Sequence, residues 1–244
     1  MTIKQGSYGK IKVFEDFLGN YSAITPTTTF VNVTGNIAAI SVSAANSSLT
    51  SVVDEPGGII GLVTHTDDND NLALFAGVFR AADGGCWMEA RVKMAAITTP
   101  AVFVGFSQLM AVTTPVMPLE FATATMTYGA GCVAGMVFDA DATTADWRAG
   151  FGNHSAVVSG ADANGTRAYQ APVADTWDII KVEIGADGGA SCYLNGRLIK
   201  HVDDAIVTTD ILHAVVMVEN RSGATNTLEL DYFKAEGGRD WADD

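Results

Sequence analysis

The chain has 244 residues, of which 48% are hydrophobic and 17% are charged. This composition is sufficient for a packed core and excludes a disordered chain. Acidic residues outnumber basic residues by 28 to 14, which gives a net charge of −14. Such an acidic surface repels phosphate, so we expect no binding to nucleic acid or to an anionic membrane. Residues 17–53 are uncharged but rich in Thr, Ser and Asn, which argues against a membrane-spanning segment.

The two ends of the chain differ in charge. Before position 15, the charged residues are three lysines, namely Lys4, Lys10 and Lys12. No apolar segment with a small-residue cleavage site accompanies them, so we expect no secretion signal. The pattern predicts an extended basic arm over residues 1–20, a central domain over residues 21–236, and an acidic tail over residues 237–244.

Short strand-like segments dominate the central region. Residues 59–63 and 72–79 are apolar runs on either side of a polar segment, and this order predicts a β-hairpin. Residues 88–94 and 178–184 alternate between apolar and charged side chains. Such alternation is typical of strands with one buried face and one face in water.

Glycine-rich turns join the later strands. Residues 185–189 form one such turn, and Asn195-Gly196 predicts a tight type I′ turn between two further strands. The final strand, residues 227–235, is predicted to place Leu228, Leu230 and Tyr232 on one side. No long segment has helical periodicity with caps. The sequence therefore predicts an all-β antiparallel sandwich.

Cysteine and histidine spacings do not match any metal-binding motif. The three cysteines are widely separated, and we expect buried free thiols in a reducing cytoplasm at Cys86, Cys132 and Cys192. The four histidines form no H-x-x-x-H pair, so they are interpreted as surface or packed residues: His65, His154, His201 and His213. No cofactor is expected.

Two sequence segments resemble paired strands of concanavalin A-like (laminin G-like) jelly rolls. Residues 177–184 begin with tryptophan, and residues 192–199 contain the Asn-Gly turn. Residues 228–233 are similar to the closing strand of that family, and the resemblance spans about residues 55–236. It implies a β-sandwich jelly roll with two curved antiparallel sheets.

The same resemblance suggests a test for calcium, because laminin G-like domains often hold this ion at the rim of the sandwich. The calcium candidates lie in one polar segment and are Asp67, Asp68 and Asp70. An EF-hand is excluded, since Leu72 stands where glycine is needed and Val78 stands where glutamate is needed. The alternative is a solvated hairpin tip without a metal.

A second resemblance involves residues 14–19 followed by a jelly roll, an arrangement similar to structural proteins of tailed bacteriophages. It implies a virion protein, assembled in the host cytoplasm, that decorates and stabilises the phage head. The expected partners are the major capsid protein and other copies of the chain, with a homotrimer favoured. Lys4, Lys10 and Lys12 would anchor the arm on the capsid, although a disordered arm is the alternative.

An interaction with carbohydrate is the alternative function. Glycan-cleaving members of the family carry three acidic residues on one strand, and the nearest match, Glu229-Leu230-Asp231, lacks the third. We therefore expect no catalytic residue and no enzyme activity. A carbohydrate-binding module of a phage tail or fibre remains the alternative, with Trp147 as the exposed residue that stacks on sugar. Trp87 and Trp177 are assigned to the core.

Overall fold

The computed structural model describes residues 10–18, 31–34, 37–41, 47–52, 58–108, 115–154 and 156–239. These residues form short strands and one turn of 3₁₀ helix, Ala81–Asp83. The strands are β1 (Lys10–Glu15), β2 (Val31–Thr34), β3 (Ile37–Ser41), β4 (Ser48–Ser51), β5 (Ile60–Val63), β6 (Asn71–Phe79), β7 (Cys86–Met94), β8 (Pro100–Ser107), β9 (Leu119–Ala122), β10 (Thr125–Tyr128), β11 (Val133–Asp139), β12 (Arg148–Asn153), β13 (Ala156–Val157), β14 (Thr166–Arg167), β15 (Trp177–Ile184), β16 (Ala190–Leu194), β17 (Arg197–Val202), β18 (Leu212–Asn220) and β19 (Thr227–Gly238).

The strands make two large antiparallel sheets and one small hairpin. The front sheet has the order β17-β16-β15-β7-β19-β5-β4, and β1 also pairs with β19. The back sheet has the order β13-β12-β11-β8-β18-β6-β3-β2, and β14 also pairs with β12. This architecture confirms the predicted all-β jelly-roll sandwich. Within the described ranges, no helix is long and apolar enough to span a membrane.

The hairpin predicted for residues 59–63 and 72–79 is wrong. Strand β5 belongs to the front sheet and β6 belongs to the back sheet, so the polar segment between them crosses from one sheet to the other. Local pattern identified both strands but could not assign their partners, because pairing depends on the whole sheet. The turn at Asn195-Gly196 is confirmed, with φ angles of 50° and 78° at these residues and β16 paired to β17.

The core between the sheets follows the alternation that the sequence predicts. Along β7 and β15 every second side chain is buried, and these buried side chains pack against the inner face of the back sheet. In β19 the register shifts between Leu230 and Tyr232. This bulge turns Tyr232 to the outer face and Phe233 into the core, so the predicted alternation is wrong beyond Leu230. The three cysteines are buried and free, as predicted.

The back sheet is covered on its second side by the hairpin of β9 and β10. Leu119, Phe121 and Met126 of this hairpin pack on a second hydrophobic cluster that includes Phe103 and Met217. A row of three glycines makes room for the hairpin and for the Phe103 ring, since Gly105 pairs with Gly135 and Gly135 pairs with Gly150. The back sheet is therefore packed on both faces, whereas the outer face of the front sheet carries polar residues.

The chain ends differ from the predicted arm and tail. The described part of the arm is extended, but Lys10–Glu15 is a strand of the front sheet that pairs along β19. Of the predicted acidic tail, Gly237 and Gly238 still belong to β19. Lys4 and residues 240–244 lie outside the described residues.

Candidate functional site on the outer face of the front sheet

The outer face of the front sheet carries cationic, acidic and aromatic side chains in cross-strand rows. In the row that contains Trp87, this residue lies between Glu183 of β15 and Glu236 of β19. The row continues to Lys12 of β1 on one side and to Ser191 of β16 on the other. Directly opposed side chains in neighbouring strands are close enough to interact. The fold therefore places an indole between two carboxylates.

The adjacent row has an aromatic residue on each side of its charged centre. Glu89 of β7 lies between Lys181 of β15 and Lys234 of β19. Tyr193 follows Lys181, and Phe14 of β1 follows Lys234. The ammonium group of Lys181 lies 5.5 Å from the Trp87 ring centre and 5.8 Å from that of Tyr193. These distances are those of cation–π contacts, so the lysine joins the two rows.

Carboxylates on this face are paired with cations and tyrosines. Lys181 Nζ lies 2.5 Å from Glu183 Oε1, and Tyr193 Oη donates to Glu183 Oε2 over 2.9 Å. The hydrogen bond from Lys181 is the main reason that the pKa of Glu183 is lowered. On the next strand, Tyr232 Oη donates to Glu89 Oε1 over 2.9 Å. The lowered pKa favours the ionised form of Glu183.

The other carboxylates of β19 are paired in the same way. Arg91 lies 2.6 Å from Asp231, and Lys93 lies 2.7 Å from Glu229. Glu229 and Asp231 thus lie on the outer face of β19, as their alternation in the sequence predicts.

Three hollows run across the face and share residues. A hollow of about 610 Å³ is lined by Trp87, Glu183 and Glu236, and one of about 340 Å³ is lined by Trp87, Glu236 and Lys234. A third, of about 500 Å³, is lined by Glu183 and Tyr193 among others. Trp87 borders two hollows, and Glu183 connects the first to the third. The face is therefore a shallow groove with polar groups around a half-buried indole.

Trp177 lies on the same face but is covered. The guanidinium of Arg91 lies 4.6 Å and the ammonium of Lys93 lies 5.0 Å from its ring centre. Trp87 and Trp177 are both half-buried on the outer face, so their assignment to the core is wrong. The sequence pattern already indicates the outer face for Trp87, because alternate residues of a strand share a face and Glu89, Arg91 and Lys93 are predicted to face solvent.

The exposure predicted for Trp147 is wrong. Its side chain is fully buried, and its Nε1 donates a hydrogen bond of 2.9 Å to Asp178 Oδ2 inside the sandwich. The ring also makes an edge contact with Phe138. The polar neighbours in the sequence, Asp146 and Arg148, suggested a surface loop, but a single indole can be buried when its N–H finds a partner. Trp147 therefore cannot stack on a sugar.

Lys10 and Lys12 are engaged within the protein. Lys10 lies 2.7 Å and Lys12 lies 3.3 Å from the two carboxylate oxygens of Glu236. The hydrogen bond from Lys10 is the main cause that lowers the pKa of Glu236. Two of the three predicted anchor lysines thus already have an acidic partner on β19, and Lys4 lies outside the described residues.

The calcium candidates are only partly brought together. Asp67 and Asp70 form a group with His65, whose Nδ1 lies 3.5 Å and 3.2 Å from their carboxylates. The side chain of Asp68 is not part of this group. Calcium takes six to eight oxygen ligands; two carboxylates and an imidazole fit it poorly. The amide of Asn220 also donates to the Asp67 carbonyl oxygen over 3.0 Å, so that oxygen has a protein partner.

No family model matches the sequence, and no curated protein matches it. Solved structures do resemble it. A protein of unknown function, SO2946 from Shewanella oneidensis MR-1, superposes with a TM-score of 0.56 at 13% identity, over 96% of this chain and 88% of that chain. The carbohydrate recognition domain of Emp47p gives a TM-score of 0.53 at 12% identity, over 88% of this chain and 95% of that chain.

A third similar structure is the kappa-carrageenase from Pseudoalteromonas carrageenovora in complex with an oligotetrasaccharide of kappa-carrageenan. It superposes with a TM-score of 0.50 at 11% identity, over 97% of this chain and 99% of that chain. At such low identities the likeness concerns the fold. The chain has the concanavalin A-like jelly-roll architecture that the sequence resemblance implied.

Proposed function

We propose that this domain binds carbohydrate on the outer face of the front sheet and does not cleave it. The observation that carries the proposal is the position of Trp87, which borders two hollows and lies between Glu183 and Glu236 in the cross-strand row. An indole offers an apolar face to the C–H face of a sugar ring. The adjacent carboxylates accept hydrogen bonds from its hydroxyl groups.

The chemistry of the groove suits a polyhydroxylated ligand. Its hollows are open and have both polar and apolar walls, and they lack the deep apolar enclosure typical of sites for drug-like ligands. The ammonium group of Lys181 adds N–H donors beside Glu183, and the Tyr193 hydroxyl oxygen adds an acceptor, so both hydroxyl and ring-oxygen atoms of a sugar find partners. Two of the solved structures with this fold are a carbohydrate recognition domain and a glycan-degrading enzyme, which supports carbohydrate as the ligand class.

Binding without cleavage is favoured by the charge state of the groove. Hydrolysis of a glycosidic bond needs a carboxylic acid that keeps its proton and a second carboxylate at a set separation. Glu183 and Glu236 have lowered pKa values, mainly through hydrogen bonds from Lys181 and Lys10. They therefore serve as acceptors rather than as proton donors.

The test is a glycan array with the full chain, followed by calorimetry on the best ligand. We expect Trp87→Ala to weaken binding at least 10-fold, which corresponds to about 1.4 kcal/mol. Trp177→Ala is the matched control, because this half-buried indole is covered by Arg91 and Lys93, and we expect it to bind within about 2-fold of wild type. Unchanged binding by Trp87→Ala, or release of reducing ends from the bound glycan, would contradict the proposal.

The role as a phage-head decoration protein remains a separate hypothesis. This hypothesis predicts that the protein binds the major capsid protein, forms a homotrimer and is located in the virion. Two of the lysines proposed to anchor the arm on the capsid, Lys10 and Lys12, already form ion pairs with Glu236 of the same chain. Electron microscopy of capsids mixed with the purified protein tests it directly: added density on the capsid lattice supports the hypothesis, and bare capsids contradict it.

A further inference from the structure

A thiol, an imidazole and a carboxylate meet at one end of the back sheet, away from the groove. Cys132 directly precedes β11, His154 directly follows β12, and Asp210 lies two residues before β18. Val133 pairs with both Gly152 and Ser107, and Ser107 pairs with His213. Because neighbouring strands run in opposite directions, the start of β11, the end of β12 and the start of β18 all lie at the same end of the sheet. The topology therefore brings together three residues that are far apart in the sequence.

The potential ligand atoms are close together. Cys132 Sγ lies 3.1 Å from Asp210 Oδ2, and His154 Nε2 lies 3.8 Å from the same oxygen. All three atoms lie within 4.8 Å of one another. Tetrahedral zinc, with bonds of about 2.0–2.3 Å, places its ligands roughly 3.3–3.6 Å apart. Only small side-chain movements separate the observed arrangement from that geometry.

We propose that Cys132, His154 and Asp210 form a zinc-binding site. Thiolate and imidazole are ligands of zinc and of similar transition metals, whereas calcium and magnesium prefer oxygen. Asn153 Oδ1, which lies 3.4 Å from Cys132 Sγ, or a water molecule supplies the fourth ligand. On binding, the Sγ–H bond breaks, its proton passes to solvent, and the sulfur lone pair forms the bond to Zn²⁺.

The surroundings hold two of the ligands in place and leave the site accessible. The amide N–H of Cys132 donates to Gln108 Oε1 over 3.0 Å, and the Gln108 N–H donates back to the Cys132 carbonyl over 2.9 Å. The Asp210 N–H donates to the Val207 carbonyl over 3.0 Å. Cys132 is buried, but the His154 side chain is 60% exposed. Zinc can therefore enter from the imidazole side.

The experiment titrates ZnCl₂ into the EDTA-treated full chain by calorimetry, with the His154→Ala variant in parallel. We expect wild type to bind Zn²⁺ at this site and His154→Ala to bind at least about 10-fold more weakly. His65→Ala is the matched control, because it disrupts the other group of potential ligands, that of His65, Asp67 and Asp70, and it should leave the Cys132 site intact. His154 is exposed, so its replacement should preserve the fold.

A second readout identifies the sulfur. Co²⁺ bound in place of Zn²⁺ should show a thiolate-to-metal charge-transfer band in wild type that is absent in Cys132→Ser. The proposal is overturned if wild type binds no Zn²⁺, if binding is lost in His65→Ala but kept in His154→Ala, or if the Co²⁺ complex lacks the thiolate band.

Discussion

The indole of Trp147 is hydrogen-bonded to Asp178 across the interior of the sandwich. Trp147 immediately precedes β12 of the back sheet, and Asp178 belongs to β15 of the front sheet, so the 2.9 Å bond joins the two sheets. The second oxygen of Asp178 accepts from Asn195 Nδ2 over 2.9 Å, and Asn195 Oδ1 accepts from the Ile179 N–H over 2.8 Å. One buried carboxylate thus ties the back sheet to the Asn-Gly turn of the front sheet.

Replacement of Trp147 is expected to reduce stability and to leave glycan binding intact. Trp147→Phe removes the donor and leaves Asp178 Oδ2 without it, at a cost of about 1–3 kcal/mol. Trp147→Ala also opens a cavity and should cost about 3–5 kcal/mol. Urea unfolding measures both, with Trp177→Ala on the outer face as the control of smaller effect. A Trp147→Ala protein of wild-type stability that no longer binds glycan would contradict the buried position.

The N-terminal strand should be held by packing more than by its lysines. Lys10 and Lys12 are about half exposed, so we expect the double variant Lys10→Ala, Lys12→Ala to lose less than about 1 kcal/mol of stability. Phe17, which follows β1, is 2% exposed, and Phe17→Ala should cost about 3–5 kcal/mol. Urea unfolding of the two variants compares these contributions. Equal losses would show that the ion pairs fix the strand.

Side-chain alternation predicts the buried faces of two front-sheet strands correctly, because each strand has one buried face and one face in solvent. In residues 88–94 and 178–184 the buried positions are those that the pattern indicated. The same rule failed in β19, where the bulge at Leu230 and Tyr232 changes the parity. A bulge depends on the register of the partner strand, and that register is absent from a local pattern.

The candidate groove could be predicted only in part. The sequence alone indicates that Trp87 shares a strand face with Glu89 and Arg91, because these are alternate residues. The placement of Glu183 and Glu236 beside Trp87 depends on two cross-strand registers. The convergence of Cys132 and His154 likewise depends on which strand ends meet at one sheet edge. Spacing along the sequence carries no such information, since these contacts arise from tertiary pairing.

The glycine row under the β9–β10 hairpin should tolerate no side chain. A Cβ on Gly135 would lie 2.6 Å from the Phe103 ring and 2.8 Å from the Val104 carbonyl oxygen. Gly135→Ala is therefore expected to cost about 1–3 kcal/mol through overpacking. Gly223→Ala is the control, because its Cβ would approach only the Thr66 carbonyl, at 3.7 Å.

A double variant tests the cause of that loss. Phe103→Leu removes the ring that a Cβ at position 135 would contact, so Gly135→Ala should cost less in the Phe103→Leu background than in wild type. Thermal unfolding of the four proteins gives the coupling energy. Strictly additive losses would place the strain at the Val104 backbone instead of at the ring.

Glu219 is expected to make the protein less stable as the pH rises towards neutrality. It lies in β18 beside Arg221, with 2.8 Å between Oε1 and the guanidinium, and Asn71 Nδ2 donates to Oε2 over 3.1 Å. Burial is the main cause that raises its pKa from 4.5 to about 7. Since the folded state then binds the proton more tightly than the unfolded state, Glu219 contributes stability below about pH 4.5 that is lost as the pH rises through 7.

The size and sign of this effect can be measured by comparison with Glu219→Gln. Between pH 4.5 and 7.5 the free energy of unfolding of wild type should fall relative to that of the variant, by an amount on the order of 3 kcal/mol. Glu183→Gln is the opposite control: the pKa of Glu183 is lowered, mainly by Lys181, so wild type should gain stability relative to this variant as the pH rises from acid. Parallel pH profiles for wild type and Glu219→Gln would mean that Arg221 fully compensates the burial of the carboxylate.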